Sequence, residues 1–271
     1  MMRAILNFIS STAFSDLAFS GGGRTRTLTI QRRASVRGLR LTVDPRDATV
    51  RLTLDTRAPL RPALAWAAGK RAWVEVELAR LPAATPIVPG LVFGLGDAEV
   101  VVHWSFDFRR TPNFVIPVKA GTHLPTIGQE IGSRFRGNDE VMLQLGGPRD
   151  QLAARTLRFL RAQALSILEA ETRELAAAHG IAIGRVSVGD PKTRWGSCAA
   201  SGDIRYSWRL ILAPAFVRRA TVAHEVAHRL HMNHGRDFHA FAAKLTGEDP
   251  ARSRRWLRAN GASLHWFGRD G

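Results

Sequence analysis

The amino-acid sequence predicts an α+β fold with a β-rich front half and a helical back half, on two kinds of periodicity. Apolar residues alternate with period two in residues 39–43 (Leu39, Leu41, Val43) and again from Val50 to Leu54. Further on, apolar residues recur at helical spacing over residues 150–179 and after Pro214. Composition agrees: 271 residues, 45% hydrophobic and 23% charged, are ordinary for a globular chain and enough to bury a core without disulfides. The single cysteine, Cys198, excludes a disulfide framework and a cysteine metal cluster, and fits a reducing cytoplasm. No apolar run approaches the roughly 18 residues of a membrane span, so no membrane partner is expected.

Residues 1–23 read as a disordered extension ending at a Gly21-Gly22-Gly23 hinge, because Ser10, Ser11, Thr12, Ser15 and Asp16 interrupt its apolar stretch. A β-rich part follows over residues 24–108. It holds the 39–43/50–54 hairpin, turned at residues 44–47 around Pro45. Next come a helix over 61–78 with Leu64, Trp66 and Trp73 facing a core, and short strands near 91–93 and 99–103. Residues 109–140 sustain no period and contain Pro112, Pro117 and Pro125. Their core, VIPVKAGTHLPTIGQEIGSRFRGNDE, resembles the translated form of a bacterial intergenic palindromic repeat, so the stretch is expected to be an inserted, disordered loop with no role for His123.

A catalytic region is expected over residues 141–271. It opens with a helix over 150–179, N-capped by Asp150 and closed by Gly180, then a strand over 181–188. Ile204, Tyr206, Trp208 and Leu210 alternate with polar residues after the turn at 200–203, predicting a hairpin over 194–212. Pro214 then opens a helix running to Gly235.

That helix carries His224-Glu225-Val226-Ala227-His228. Positions i and i+4 share a helix face one turn apart, so two imidazoles can converge on one ion, while Glu225 is held beside it without being forced to ligate. Chance produces this pattern about 0.01 times in a chain of such composition. Five of the nine histidines crowd between His224 and His239. A catalytic zinc needs a third ligand, and three residues compete for the place. His231, on the same helix face, would stand about 10 Å along the axis from His224, too far for a compact tetrahedron. His234, beside Gly235 where the chain can turn back, is the choice, and Glu248 is the runner-up.

RWGSC, IRYSWRLILAP and AHEVAHRLHMNHGRDF together resemble the YgjP-like metal-dependent hydrolases, relatives of the SprT-type and Wss1-like zinc peptidases with the small zincin fold called minigluzincin. The likeness covers residues 141–271, and the RGLRLTVDP hairpin extends it toward Leu28. It implies an HExxH helix packed under a small sheet, His224, His228 and His234 as zinc ligands, Glu225 as catalytic acid and base, and a polypeptide substrate. His239 departs from the aromatic residue usual after the Phe. In such a site the zinc makes hydroxide available at neutral pH and polarises the scissile carbonyl, and residues 195–198 would offer an edge strand to an extended peptide.

Other residues read more plainly. Tyr206 belongs to the core rather than to an oxyanion site, and Cys198 to the hairpin interior rather than to nucleophilic chemistry. Arg194 suits a substrate carboxylate or a structural pair. The net charge of +16 comes from 39 basic residues of which only four are Lys. Arginine suits phosphate, so a nucleic-acid-associated module with a structural zinc is the alternative, with Arg252, Arg254, Arg255 and Arg258 as a charged helix face. The arginines are nonetheless spread along the chain, which favours a genome-wide codon bias toward Arg and Ala, with the 252–258 face simply solvated.

Overall fold

The computed structural model describes residues 17–34, 36–115, 141–247 and 249–270. The architecture is α+β, with eleven strands and six α-helices among these residues. They fall into two compact units, one ending at Ala83 and the other spanning Ala84–Asp270.

In the first unit, β1 (Ala18–Gly21), β2 (Arg24–Arg32), β3 (Arg40–Val43) and β4 (Val50–Leu54) form a sheet of order β1-β2-β4-β3. The expected hairpin is β3–β4, with Leu41 opposite Leu52 and Val43 opposite Val50. Residues 18–23 depart from the expected disordered extension. β1 pairs with β2, and Gly22 and Gly23 form the turn between them, so these residues gain ladder hydrogen bonds; residues 1–16 lie outside the described residues. The helix expected over 61–78 is broken at Gly69 and Lys70 into α1 (Leu60–Ala68) and α2 (Arg71–Ala79). Ala63, Leu64 and Ala67 of α1 pack on Leu52 and Leu54. The break sets the facing of α2 so that Val74 and Leu78 are buried and Trp73, expected in the core, stays 44% exposed; Trp66, also expected there, lies on the outer face of α1 and is 38% exposed.

The second unit contains β5 (Val92–Leu95), β6 (Ala98–Trp104), β7 (Asn113–Val115) and β8 (Val141–Leu145), in the order β5-β6-β8-β7. The boundary drawn from sequence at 140/141 therefore cuts through a sheet: β6 runs parallel to β8, with Val102 opposite Leu143. Asn113–Val115, placed in the insertion, pairs with β8 as well. Residues 116–140, His123 included, lie outside the described residues. α3 (Leu152–Ala178) follows a 3-10 turn over Arg149–Gln151, so Asp150 sits in that turn and does not cap the helix. Gly180 closes the helix with φ 65°.

β9 (Val186–Gly189), shorter than the expected strand, joins β10 (Gly196–Cys198) and β11 (Ile204–Ser207) in the order β10-β11-β9. The hairpin ends earlier than its alternation suggests. Trp208–Leu212 is a 3-10 turn whose five residues are all buried, an environment enclosed on every side rather than a strand with one wet face. Arg209 is accommodated there by Asp190 and by the carbonyls of Leu264 and Phe267. Three helices complete the unit: α4 (Ala215–Ala227), α5 (Arg236–Thr246) and α6 (Pro250–Trp266), the last capped by Asp249 on the Ala251 amide at 2.8 Å. α4 packs against α3, α5, α6 and β10. Arg218 on α4, 3% exposed, forks onto Glu171 of α3 at 2.7–3.1 Å. No helix among the described residues is long and apolar enough to cross a membrane.

Candidate metal centre

α4 ends at Ala227, with His228 as its C-cap, well short of the Gly235 expected from sequence. Arg229, Leu230 and His231 then donate their amides to the carbonyls of Val226 and Ala227 at 3.0–3.1 Å, a tightened last turn that reverses the chain. Residues 229–235 thereby return His234 to the end of α4, and α5 starts at Arg236. The early ending removes His231 from any helix face. Its carbonyl accepts from His228 Nδ1 at 3.1 Å, and its ring meets Phe241 edge-on.

His224, His228 and His234 come together, with ligand atoms all within 4.8 Å of one another. Donation from His228 Nδ1 leaves its Nε2 as the free lone pair. His224 Nε2 and His234 Nε2 stand 3.1 Å apart. Bonds of about 2.0–2.1 Å to one tetrahedral ion space two nitrogens by about 3.3 Å, so this pair has the separation of two ligands sharing an ion. Burial, then the neighbouring His228, His234 and Arg254, push His224 down to about 4. Burial likewise lowers His228, partly opposed by its bond to the His231 carbonyl. Both rings are thus neutral near pH 7, the state a metal requires. Glu248, the runner-up, lies outside the described residues.

Glu225 is 4% exposed, and burial pushes its carboxyl up to about 7 against the opposing pull of Arg194. Its side chain lies over β10 at Gly196, where a Cβ would come within 2.5 Å of Oε1. The helix and the strand can pack this closely only because that residue has no side chain.

Phe238 of α5, 1% exposed, is the platform of the triad: its ring centroid lies 4.8, 4.6 and 4.7 Å from those of His224, His228 and His234. Sequence reasoning missed this role, because one phenylalanine in an amphipathic helix reads as ordinary core. Trp195, the second residue of the RWGSC motif, has a packing role that the motif does not reveal. Its ring stacks on His265 at 5.3 Å and presses against Gly261, where a Cβ would fall 2.9 Å from the indole. An interior helical glycine contacting an aromatic residue far away in sequence was the available signal.

These groups open onto a cleft of about 260 Å³, walled by β10 and by residues of α4, α5 and α6, among them Arg194, Trp195, His239 and Arg254. Tyr206 is fully buried, its hydroxyl 3.0 Å from Thr172 Oγ1, and so belongs to the core. Cys198 is half-buried in β10 rather than enclosed, and burial raises its thiol, the wrong direction for a nucleophile.

Residues 37–260 match the YgjP-like, metallopeptidase domain. The chain belongs to the YgjP-like family. The matched region begins at the Arg37 of RGLRLTVDP and runs into α6, so it takes in the front hairpin as well as the histidine cluster. Membership in a metallopeptidase family implies a hydrolase that uses a metal and acts on peptides. Comparison with curated proteins and with solved structures finds no match.

Proposed function

We propose that this YgjP-like chain is a zinc-dependent peptidase, with His224, His228 and His234 holding the ion and Glu225 as general base and acid. The arrangement would be zincin-like, with the HExxH helix α4 lying under the small β9–β11 sheet. The observation that carries the reading is the convergence of three imidazoles beside a buried carboxyl in one cleft. Three nitrogen ligands suit zinc and leave a coordination position open, whereas a structural site closes with four protein ligands and has no use for a buried carboxylate beside it. Held by His224, His228 and His234, zinc would supply Lewis acidity, polarising a carbonyl and acidifying water to a pKa of about 7.

The chain's own residues supply the rest. Glu225, pushed up to about 7, can accept a proton from water through a carboxylate oxygen and return it to the departing amine. Phe238 holds the rings in place, and the His231 carbonyl fixes the tautomer of His228. Among the described residues β10 pairs on one side only, with β11, so its other edge can receive an extended polypeptide by backbone hydrogen bonds. A single free thiol accords with action in the cytoplasm.

The test is zinc content and cleavage of an unfolded protein by wild-type, Glu225→Gln and His234→Ala chains. Glu225→Gln is expected to keep zinc and lose cleavage by about 10²–10⁴-fold, and His234→Ala to lose the metal. Wild-type cleavage rates in Glu225→Gln would overturn the mechanism, and undiminished zinc in His234→Ala would overturn the ligand set.

A further inference from the structure

The charged face expected on α6 is divided by the fold. Arg252 lays its guanidinium over the Phe216 ring, 4.0 Å from the centroid. Arg254, by contrast, lines the cleft, together with Leu257 one turn further along. Arg194, just before β10, lines the same cleft. Arg194 pulls against the burial of the Glu225 carboxyl, and Arg254 adds to the lowering of His224, so both cations stand near the histidine cluster.

These two arginines differ from others around the site. Arg209 and Arg218 are buried and paired with Asp190 and Glu171, and Arg229 is spent on the carbonyls of Ala182 and Ala200. Among the described residues, the side chains of Arg194 and Arg254 make no hydrogen bond and no ion pair. The only carboxyl lining the cleft among the described residues is Glu225 itself. A peptide cleft with two unspent guanidinium groups, flanked by the apolar surfaces of Trp195 and Leu257, suits a ligand with a short apolar stem and a carboxylate head.

Resting on the peptidase reading, we propose that Arg194 and Arg254 receive a carboxylate of the substrate, so that the cleft selects polypeptides carrying an acidic group beside the bond to be cut. That carboxylate has two sources, an Asp or Glu side chain or the α-carboxylate of a chain terminus. Guanidinium forks suit either, since both present two oxygens in one plane.

The experiment measures binding of labelled peptides to the full-length Glu225→Gln chain and their cleavage by the wild-type chain. Three peptides share one sequence: a Gln peptide with an amidated terminus, its Glu counterpart, and the Gln peptide with a free terminus. A carboxylate-bearing peptide is expected to bind about tenfold more tightly than the neutral one. Preference for the Glu peptide identifies the side-chain source, and preference for the free terminus identifies the α-carboxylate. Arg194→Gln and Arg254→Gln should each reduce the preference to about threefold, and together should abolish it. Arg254→Glu should turn it toward a fourth, amidated peptide with Lys in place of the Gln, a reversal that loss of folding cannot produce. Equal binding of all three peptides, or a preference indifferent to both substitutions, overturns the proposal. Acid-selective binding without wild-type cleavage overturns the peptidase reading and leaves the carboxylate-binding role of Arg194 and Arg254 standing. Cleavage without acid preference overturns this proposal alone.

Discussion

The α4–α5 segment and strand β10 meet at the same site and contribute to it in opposite ways. The helical segment contributes groups: an imidazole and a carboxyl from α4, a second imidazole from its C-cap, a third from the turn, and the Phe238 ring beneath the imidazoles. β10 contributes space, since Gly196 leaves room for the Glu225 side chain, and Trp195 lies against a second vacancy at Gly261 of α6. Chemistry that is present leaves a pattern in the sequence. Room left for it does not, because a glycine reports a vacancy without saying what fills it.

The largest effect should come from removing the platform. Phe238→Ala deletes a ring that is 1% exposed and touches all three imidazoles. It is expected to cost about 3–5 kcal/mol in denaturant unfolding and to weaken metal binding in a titration. Unchanged metal affinity in a destabilised Phe238→Ala chain would mean that the backbone turn alone holds the triad, and the comparison would shift from rings to loop.

Filling the space on the strand side comes next. Gly196→Ala introduces a Cβ 2.5 Å from Glu225 Oε1, so the carboxyl or the strand must move. A displacement of about 1 Å is expected to lower kcat/KM about 10²-fold, with zinc content unchanged because no imidazole is touched. Loss of zinc together with activity would show that strand and helix are not separable contributors.

The smallest effect concerns the tie between the small sheet and α6. Burial by itself would raise the Asp190 carboxyl, but the Arg209 guanidinium at 2.7 and 3.0 Å outweighs it and holds the group below its ordinary range. A carboxyl lowered on folding adds stability that is fully present above its unfolded pKa of about 3.9 and is lost as pH falls through the lower folded value. Wild-type stability should therefore fall on acidification below about pH 4, and Asp190→Asn should show a shallower decline there. At neutral pH that variant should be about 1–2 kcal/mol less stable, a modest figure because the Asp190 side chain is 36% exposed. Identical acid limbs in thermal unfolding would remove the pair from the account of how the cleft wall is held.

Errors of sequence reading have a common cause. The 194–212 alternation suggested a longer hairpin, yet residues 208–212 leave the sheet, because the interior around them is closed on both sides and Arg209 finds three acceptors there. Trp66 and Trp73 were expected inside, but Ala63, Leu64 and Ala67 fill the core from α1, and after the break at Gly69 and Lys70 Val74 and Leu78 fill it from α2. In both places local period gave way to packing between distant segments. The four arginines of α6 read as one solvated face, and only the fold distinguishes Arg254 from Arg252.

By itself, the sequence determined the α+β class, the hairpin of β3 and β4, the long helix α3 and the HExxH spacing, because these depend on periods and intervals of a few residues. The tertiary structure decided that α4 stops at Ala227, that His234 returns beside His224, and that Phe238 lies beneath both. It also placed the Glu225 side chain over Gly196 and left two arginines facing the cleft. Those outcomes depend on contacts between elements far apart in the chain, and no local interval encodes them.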